Sequence, residues 1–161
     1  MTASTIARAG LFVVALGLAG SPAEAAVSPF RTLAGSWAGG GVISMASGEQ
    51  ERLRCRASYD VDGAGTALRL NLRCASDSYN FDLASDVEYR DGAISGVWTE
   101  ASRNASGNIE GRAIGDRIEA AARGQSFSAN LSLTTRGNRQ VVSIRPEGTD
   151  VRAVSLELAR R

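Results

Sequence analysis

Few side chains in this sequence can do chemistry, and the missing types narrow the field first. There is no His, and all 18 basic residues are Arg, with no Lys. The usual general base, the commonest metal ligand, the Schiff-base amine and every Ser-His or Cys-His arrangement are therefore excluded. What remains is two cysteines, Cys55 and Cys74, two tryptophans, Trp37 and Trp98, and one glutamate in an unusual place. Glu100 falls on the same side of an alternating segment as Ile94, Gly96 and Trp98, and an inward carboxylate is expensive unless paired. Arg112 in the next strand is the expected partner, with Arg103 as the alternative if a bulge turns it inward. Such a pair beside Trp98 would anchor the polar end of a small ligand, with Trp37 and Trp98 as pocket walls. The competing readings are plain core packing for both tryptophans and a Glu100 turned to solvent by a bulge at Thr99-Glu100-Ala101. Glu100 is also the single candidate acid or base, so the expectation is a protein that is not an enzyme and needs neither cofactor nor metal.

Other clusters fail on spacing. Asp60 with Asp62, and Asp77 with Asp82, sit at turns, where Asp is common for local hydrogen bonding, and no calcium-loop pattern surrounds them. Gly39-Gly40-Gly41 lacks the Lys and the helix that complete a phosphate loop.

The elements that must position these residues read as strands. Leu53, Cys55, Ala57, Tyr59 and Val61 alternate with Arg54, Arg56, Ser58 and Asp60, and Leu68, Leu70, Leu72 and Cys74 alternate with Arg69, Asn71 and Arg73. Between them lies Asp62-Gly63-Ala64-Gly65, a turn signal. A hairpin centred on Ala64 and Gly65 sets Cys55 opposite Cys74 on the core face. The same register sets Tyr59 opposite Leu70 and Asp60 opposite Arg69, and it faces Arg56 with Arg73, a mildly unfavourable pair. A disulfide between Cys55 and Cys74 follows.

Similar alternation recurs near 36–45, 50–61, 67–75, 79–89, 93–103, 108–114, 117–123, 126–135, 140–145 and 151–159, with Gly, Asn and Asp at the breaks. Only 29–34 suggests a short helical turn. Ten strands in simple succession predict an all-β, antiparallel up-and-down barrel, because an open meander would leave two long edges. Glycines within strands, Gly39, Gly40, Gly41, Gly96 and Gly111, fit a sheet that curls. A flattened sandwich is the alternative. An outer-membrane barrel is disfavoured: one face of most strands carries Arg, Asp, Asn or Glu, and aromatics at 6% are too few for two girdles.

At the N-terminus, Arg8, the apolar run 9–20, and Ser21-Pro22 before Ala23-Glu24-Ala25 have the three parts of a secretory signal peptide. The expected organisation is a signal over 1–25 and one barrel domain over 26–161, located in the periplasm or secreted. No membrane span is expected once the signal is removed, since twelve apolar residues are too short to cross a bilayer. An oxidising compartment suits the disulfide.

Leu33-Ala34-Gly35-Ser36-Trp37, followed by Ala38-Gly39-Gly40-Gly41, resembles the opening of the calycin superfamily. In lipocalins and fatty-acid-binding proteins a Gly-x-Trp stands on the first strand after a short helical turn, and its Trp packs across the closed end of the barrel. The glycines after the Trp are similar to the nitrobindin branch, a ten-stranded barrel that binds haem through a His near the chain end. With no His here, the resemblance implies the fold and not that ligation. The tryptophan and cysteine framework also resembles secreted proteins of alphaproteobacteria, and Arg to the exclusion of Lys suits a GC-rich genome.

A formal net charge of +1 gives no nucleic-acid footprint. Arg52, Arg54, Arg56, Arg69 and Arg73 nevertheless share one outer sheet face. Two functions follow: an exported barrel holding a small, partly apolar ligand in its lumen, or a non-catalytic envelope module that meets a protein partner through that Arg-rich surface.

Overall fold

The computed structural model describes residues 27–161. The expected signal peptide over 1–25 lies outside the described residues. A single 3-10 turn, Pro29–Thr32, precedes ten strands: β1 Gly35–Met45, β2 Gln50–Val61, β3 Ala67–Ala75, β4 Asn80–Arg90, β5 Ala93–Glu100, β6 Ala105–Ile114, β7 Arg117–Gly124, β8 Ser128–Arg136, β9 Arg139–Glu147 and β10 Val151–Arg160. Each strand pairs antiparallel with the next, and β10 returns to β1, so the sheet is a closed up-and-down barrel. The sandwich alternative is set aside by that last pairing.

The β2–β3 register is the expected one: Cys55 faces Cys74, Tyr59 faces Leu70, Asp60 faces Arg69 and Arg56 faces Arg73. Cys55 and Cys74 are disulfide-bonded, with their Cα atoms 4.1 Å apart. Curling depends on glycine where β1 meets β10. A Cβ at Gly39 or Gly41 would run into the carbonyl oxygens of Glu157 and Ser155, so only a bare Cα lets these strands coil past one another.

Two boundaries, the end of the fifth strand and the start of the sixth, each differ from expectation by three residues. Alternation predicts a fifth strand running to 103, but β5 stops at Glu100, a 3-10 turn follows over Ala101–Arg103, and β6 starts at Ala105. The Glu100 carboxylate caps that turn by accepting from the backbone N–H groups of Ser102 and Arg103, and Asn104 takes the left-handed conformation that ends it (φ 50°).

Among the described residues no helix is long and apolar enough to cross a membrane. The outer wall carries ion pairs, among them Arg69–Asp86 at 2.9 Å and Arg117–Glu119 at 2.8 Å.

Candidate functional site

The barrel interior is unevenly filled. At the end where β1 starts, the N-terminal segment folds inward as a plug. Phe30 and Leu33 are buried there, with Phe30 edge-on to Tyr89 at 5.9 Å. Trp37, 1% exposed, donates from Nε1 to the Leu33 carbonyl at 2.8 Å. Arg160 lies over the Trp37 ring, 4.3 Å from its centroid, and donates to the carbonyls of Thr32 and Ala34, so the end of β10 locks onto the segment before β1. Above this plug the Tyr59 hydroxyl donates to Gln140 Oε1 at 2.8 Å, and Gln140 Nε2 reaches Thr135 at 3.3 Å. Burial pushes the Tyr59 phenol well above its ordinary range, outweighing the hydrogen bond to Gln140.

Beyond Tyr59 the interior opens into a cavity of about 300 Å³, at the small end of ligand-site sizes. Ten strands enclose more space than inward side chains of this size fill, and β6 contributes only Ala105, Gly107, Ile109, Gly111 and Ala113 to the inner face. Leu70, Leu72, Leu83, Ile109, Leu131 and Ile144 consequently face inward yet are only half-buried. Trp98 forms part of the wall, its ring tilted 57° against that of Phe127 with centroids 5.2 Å apart, and its Nε1 donates to the Asn108 carbonyl at 3.1 Å. Ser85 is buried and bonded to the Val97 carbonyl at 2.8 Å.

The far end of the cavity is reached at Glu100 and Arg103, both of which line it. Glu100 is 6% exposed. Its Oε1 accepts from Asp82 N at 2.9 Å and Ser102 N at 3.2 Å, and its Oε2 from Arg103 N at 2.9 Å. Burial alone would raise its pKa, but these hydrogen bonds outweigh burial and hold the carboxyl below its usual range. The Arg103 guanidinium stands 3.5 Å from Glu100 Oε2, donates to the Asn80 carbonyl at 3.0 Å and lies over the Phe81 ring at 4.9 Å. Its side chain is 45% exposed, so the cavity meets solvent here.

The expected Glu100–Arg112 pair does not form. The strict alternation of β6 puts Arg112 on the outer wall with Glu110, opposite Glu119 of β7, where it is exposed. The 3-10 turn returns Arg103 to Glu100 instead, by a tight turn and not by the bulge considered from the sequence. Trp37 belongs to the plug below the cavity, and Trp98 to its wall. Arg160, Gln140, Phe81 and Phe127 complete the two ends and were not singled out from sequence. Alternation through Val154, Leu156 and Leu158 does point Arg160 inward, a signal easily discounted at the last residue of a strand.

Among the described residues, no buried side-chain polar atom lacks a hydrogen-bond partner, and no group of three or more acidic or Cys side chains could hold a metal ion. The haem suggested by the nitrobindin resemblance does not fit this lumen. The chain has no His, the Cys74 sulfur is bound to Cys55, and the Tyr59 hydroxyl is committed to Gln140.

No family model matches the chain, and no curated protein matches it in sequence. Its fold is shared with solved structures. The crystal structure of Rv2717c from M. tuberculosis superposes with a TM-score of 0.66 at 18% identity, covering 88% of this chain and 98% of that one. The S-type phycobiliprotein lyase CPES from Guillardia theta superposes at 0.62 with 11% identity, covering 82% and 90%. The closed, ten-stranded antiparallel up-and-down barrel expected from the sequence is therefore the fold of this protein, and these two structures share it.

Proposed function

We propose that this protein is an exported barrel that binds one small, largely apolar ligand in its lumen. The ligand's body would lie against Leu70, Leu72, Leu83, Ile109 and Trp98, with its polar end at Glu100 and Arg103. The observation that carries this reading is the set of inward leucines and isoleucines left half-buried around a cavity of about 300 Å³. Apolar surface facing a cavity gains free energy when a ligand covers it, at about 25 cal/mol per Å². Among the described residues the buried polar side chains already have hydrogen-bond partners, so the buried part of the ligand needs few hydrogen-bonding atoms of its own. The disulfide and the signal-like N-terminus support a periplasmic or secreted location.

Binding is favoured over catalysis because Glu100 is held ionised by three backbone N–H groups and a neighbouring guanidinium, so it has little proton to give, and the same donors occupy its oxygens and make it a weak base. One similar barrel carries the name of a lyase, and at 11% identity that likeness extends to the fold alone.

Native mass spectrometry of protein isolated from its own host, with displacement of a lipophilic fluorescent dye, tests the reading. A co-purifying apolar molecule or saturable dye binding is expected, and Leu131→Trp, which fills the lumen, should abolish either. Dye binding that survives Leu131→Trp, or none in the parent, would overturn it.

A further inference from the structure

The outer wall carries a charge arrangement that the lumen does not explain. In a closed ten-stranded barrel each strand takes roughly a tenth of the circumference, so a plane laid tangent to β2 meets the outer faces of β1, β2 and β3. Those faces bear Arg52, Arg54, Arg56, Arg69 and Arg73 against one carboxylate, Asp60, although the whole chain has a net charge of only +1. Arg69 and Arg73 are ion-paired to Asp86 and Asp82 of β4, at 2.9 and 3.3 Å. Arg52, Arg54 and Arg56 are exposed and have no carboxylate within 4.0 Å among the described residues. Alternation spaces these three about 7 Å apart along one strand. Their neighbours across the ladders are Val42, Gly40 and Ala38 on β1, and Ala75 and Arg73 on β3, so the one long side chain beside the row is itself a cation.

Arg56 also faces Arg73 directly across the ladder, a like-charge pair that opposes strand pairing. The next rung on the inner face is the Cys55–Cys74 disulfide, which fixes the register covalently just beneath the guanidinium row. A local cost maintained by a crosslink is what an external anionic partner would relieve.

We infer that this wall docks the barrel, lying on its side, against an anionic lipid bilayer, and that the disulfide holds the cation row in register. A planar partner is favoured over a flexible polyanion because a chain wrapping beyond the tangent sector would meet carboxylates on either side: Asp82 and Asp86 on β4, and Glu157 on β10. Each guanidinium near a negative membrane surface strengthens binding about fivefold at low salt.

Residues 26–161, the form expected after signal removal, contain all ten strands of the described residues and are the protein to test, by co-sedimentation with phosphatidylcholine vesicles with and without phosphatidylglycerol. Binding is expected only with phosphatidylglycerol present and should fall away in high salt. The triple variant R52Q/R54Q/R56Q, which removes only exposed charge, should bind on the order of 100-fold more weakly. R117Q/R123Q/R145Q, on the opposite wall, should bind like the parent. C55A/C74A keeps every charge and should bind severalfold more weakly, provided circular dichroism shows an intact barrel. Equal binding to both vesicle types, equal loss in the opposite-wall variant, or binding to soluble polyphosphate without binding to vesicles would overturn the assignment. Parent-like affinity in a folded C55A/C74A would overturn the part given to the disulfide.

Discussion

At the end where β1 starts, the barrel is closed by apolar bulk: Phe30, Leu33 and Trp37 are each at most 2% exposed, and Arg160 is laid across them. At the other end closure is partial and polar, consisting of one capped 3-10 turn, the Glu100–Arg103 contact and the rings of Phe81, Trp98 and Phe127. Both ends contain a Trp and an Arg stacked on an aromatic ring, but the balance of burial differs. The first end is a core, whose energy comes from packing. The second is an orifice, whose carboxylate is held by backbone N–H groups and whose guanidinium is held by a backbone carbonyl, with apolar surface left uncovered behind them.

The largest expected effect is at the closed end. Trp37→Ala removes a fully buried ring and leaves a void under Arg160, and should cost about 4 kcal/mol in a chemical melt. A loss of under 1 kcal/mol would mean that the plug is not what holds the barrel shut. At the open end, Glu100→Gln removes the charge from an acceptor of three backbone N–H groups and should cost about 2 kcal/mol. That loss should depend on pH. The folded-state pKa of Glu100 lies below its unfolded value, so its contribution is present above the unfolded pKa of about 4.3 and disappears as pH falls through the folded pKa. Parent and variant melts should therefore converge in acid, and a constant gap down to pH 2 would show that charge is not the cause.

Smaller again is Tyr59→Phe, which deletes one hydroxyl and leaves Gln140 Oε1 without its donor, at about 1 kcal/mol. Least for stability is Arg103→Gln, expected to stay within about 0.5 kcal/mol because the side chain is nearly half exposed. Under the lumen reading it should nonetheless alter dye affinity more than any closed-end change does. A parent-like titration curve would remove Arg103 from the site.

Much of the fold was legible because the signal is repetitive. Period-two alternation fixes which side chains face inward, and ten such segments with turn residues between them leave few topologies. Eight strands fall within two residues of their sequence-derived limits. The exceptions are β5, which stops three residues early, and β6, which starts three residues early; the pattern of β5 continues past the point where it stops, since Ala101 and Arg103 keep it while the Glu100 side chain satisfies the backbone donors of a new turn. The missing cue was local: a Glu that caps, followed two residues on from Ser102 by Asn104, which tolerates the left-handed region. Glu100 and Trp98 were found as inward residues by the same alternation, whereas the identity of the cation was not, because alternation gives the side of a strand and not what a turn folds back onto it.

By itself the sequence determined the sheet, its β2–β3 register and the disulfide, for these follow from local periodicity and from the centre of one turn. It also determined which chemistries are excluded, through the absence of His and Lys. Only the tertiary structure decided that Arg112 stands outside and Arg103 stands at the orifice, that Trp37 is plug and Trp98 is wall, and that the lumen is left partly empty. Those outcomes depend on distances between residues far apart in the chain, and on whether inward side chains fill the circumference that ten strands enclose. Neither quantity is carried by any single segment.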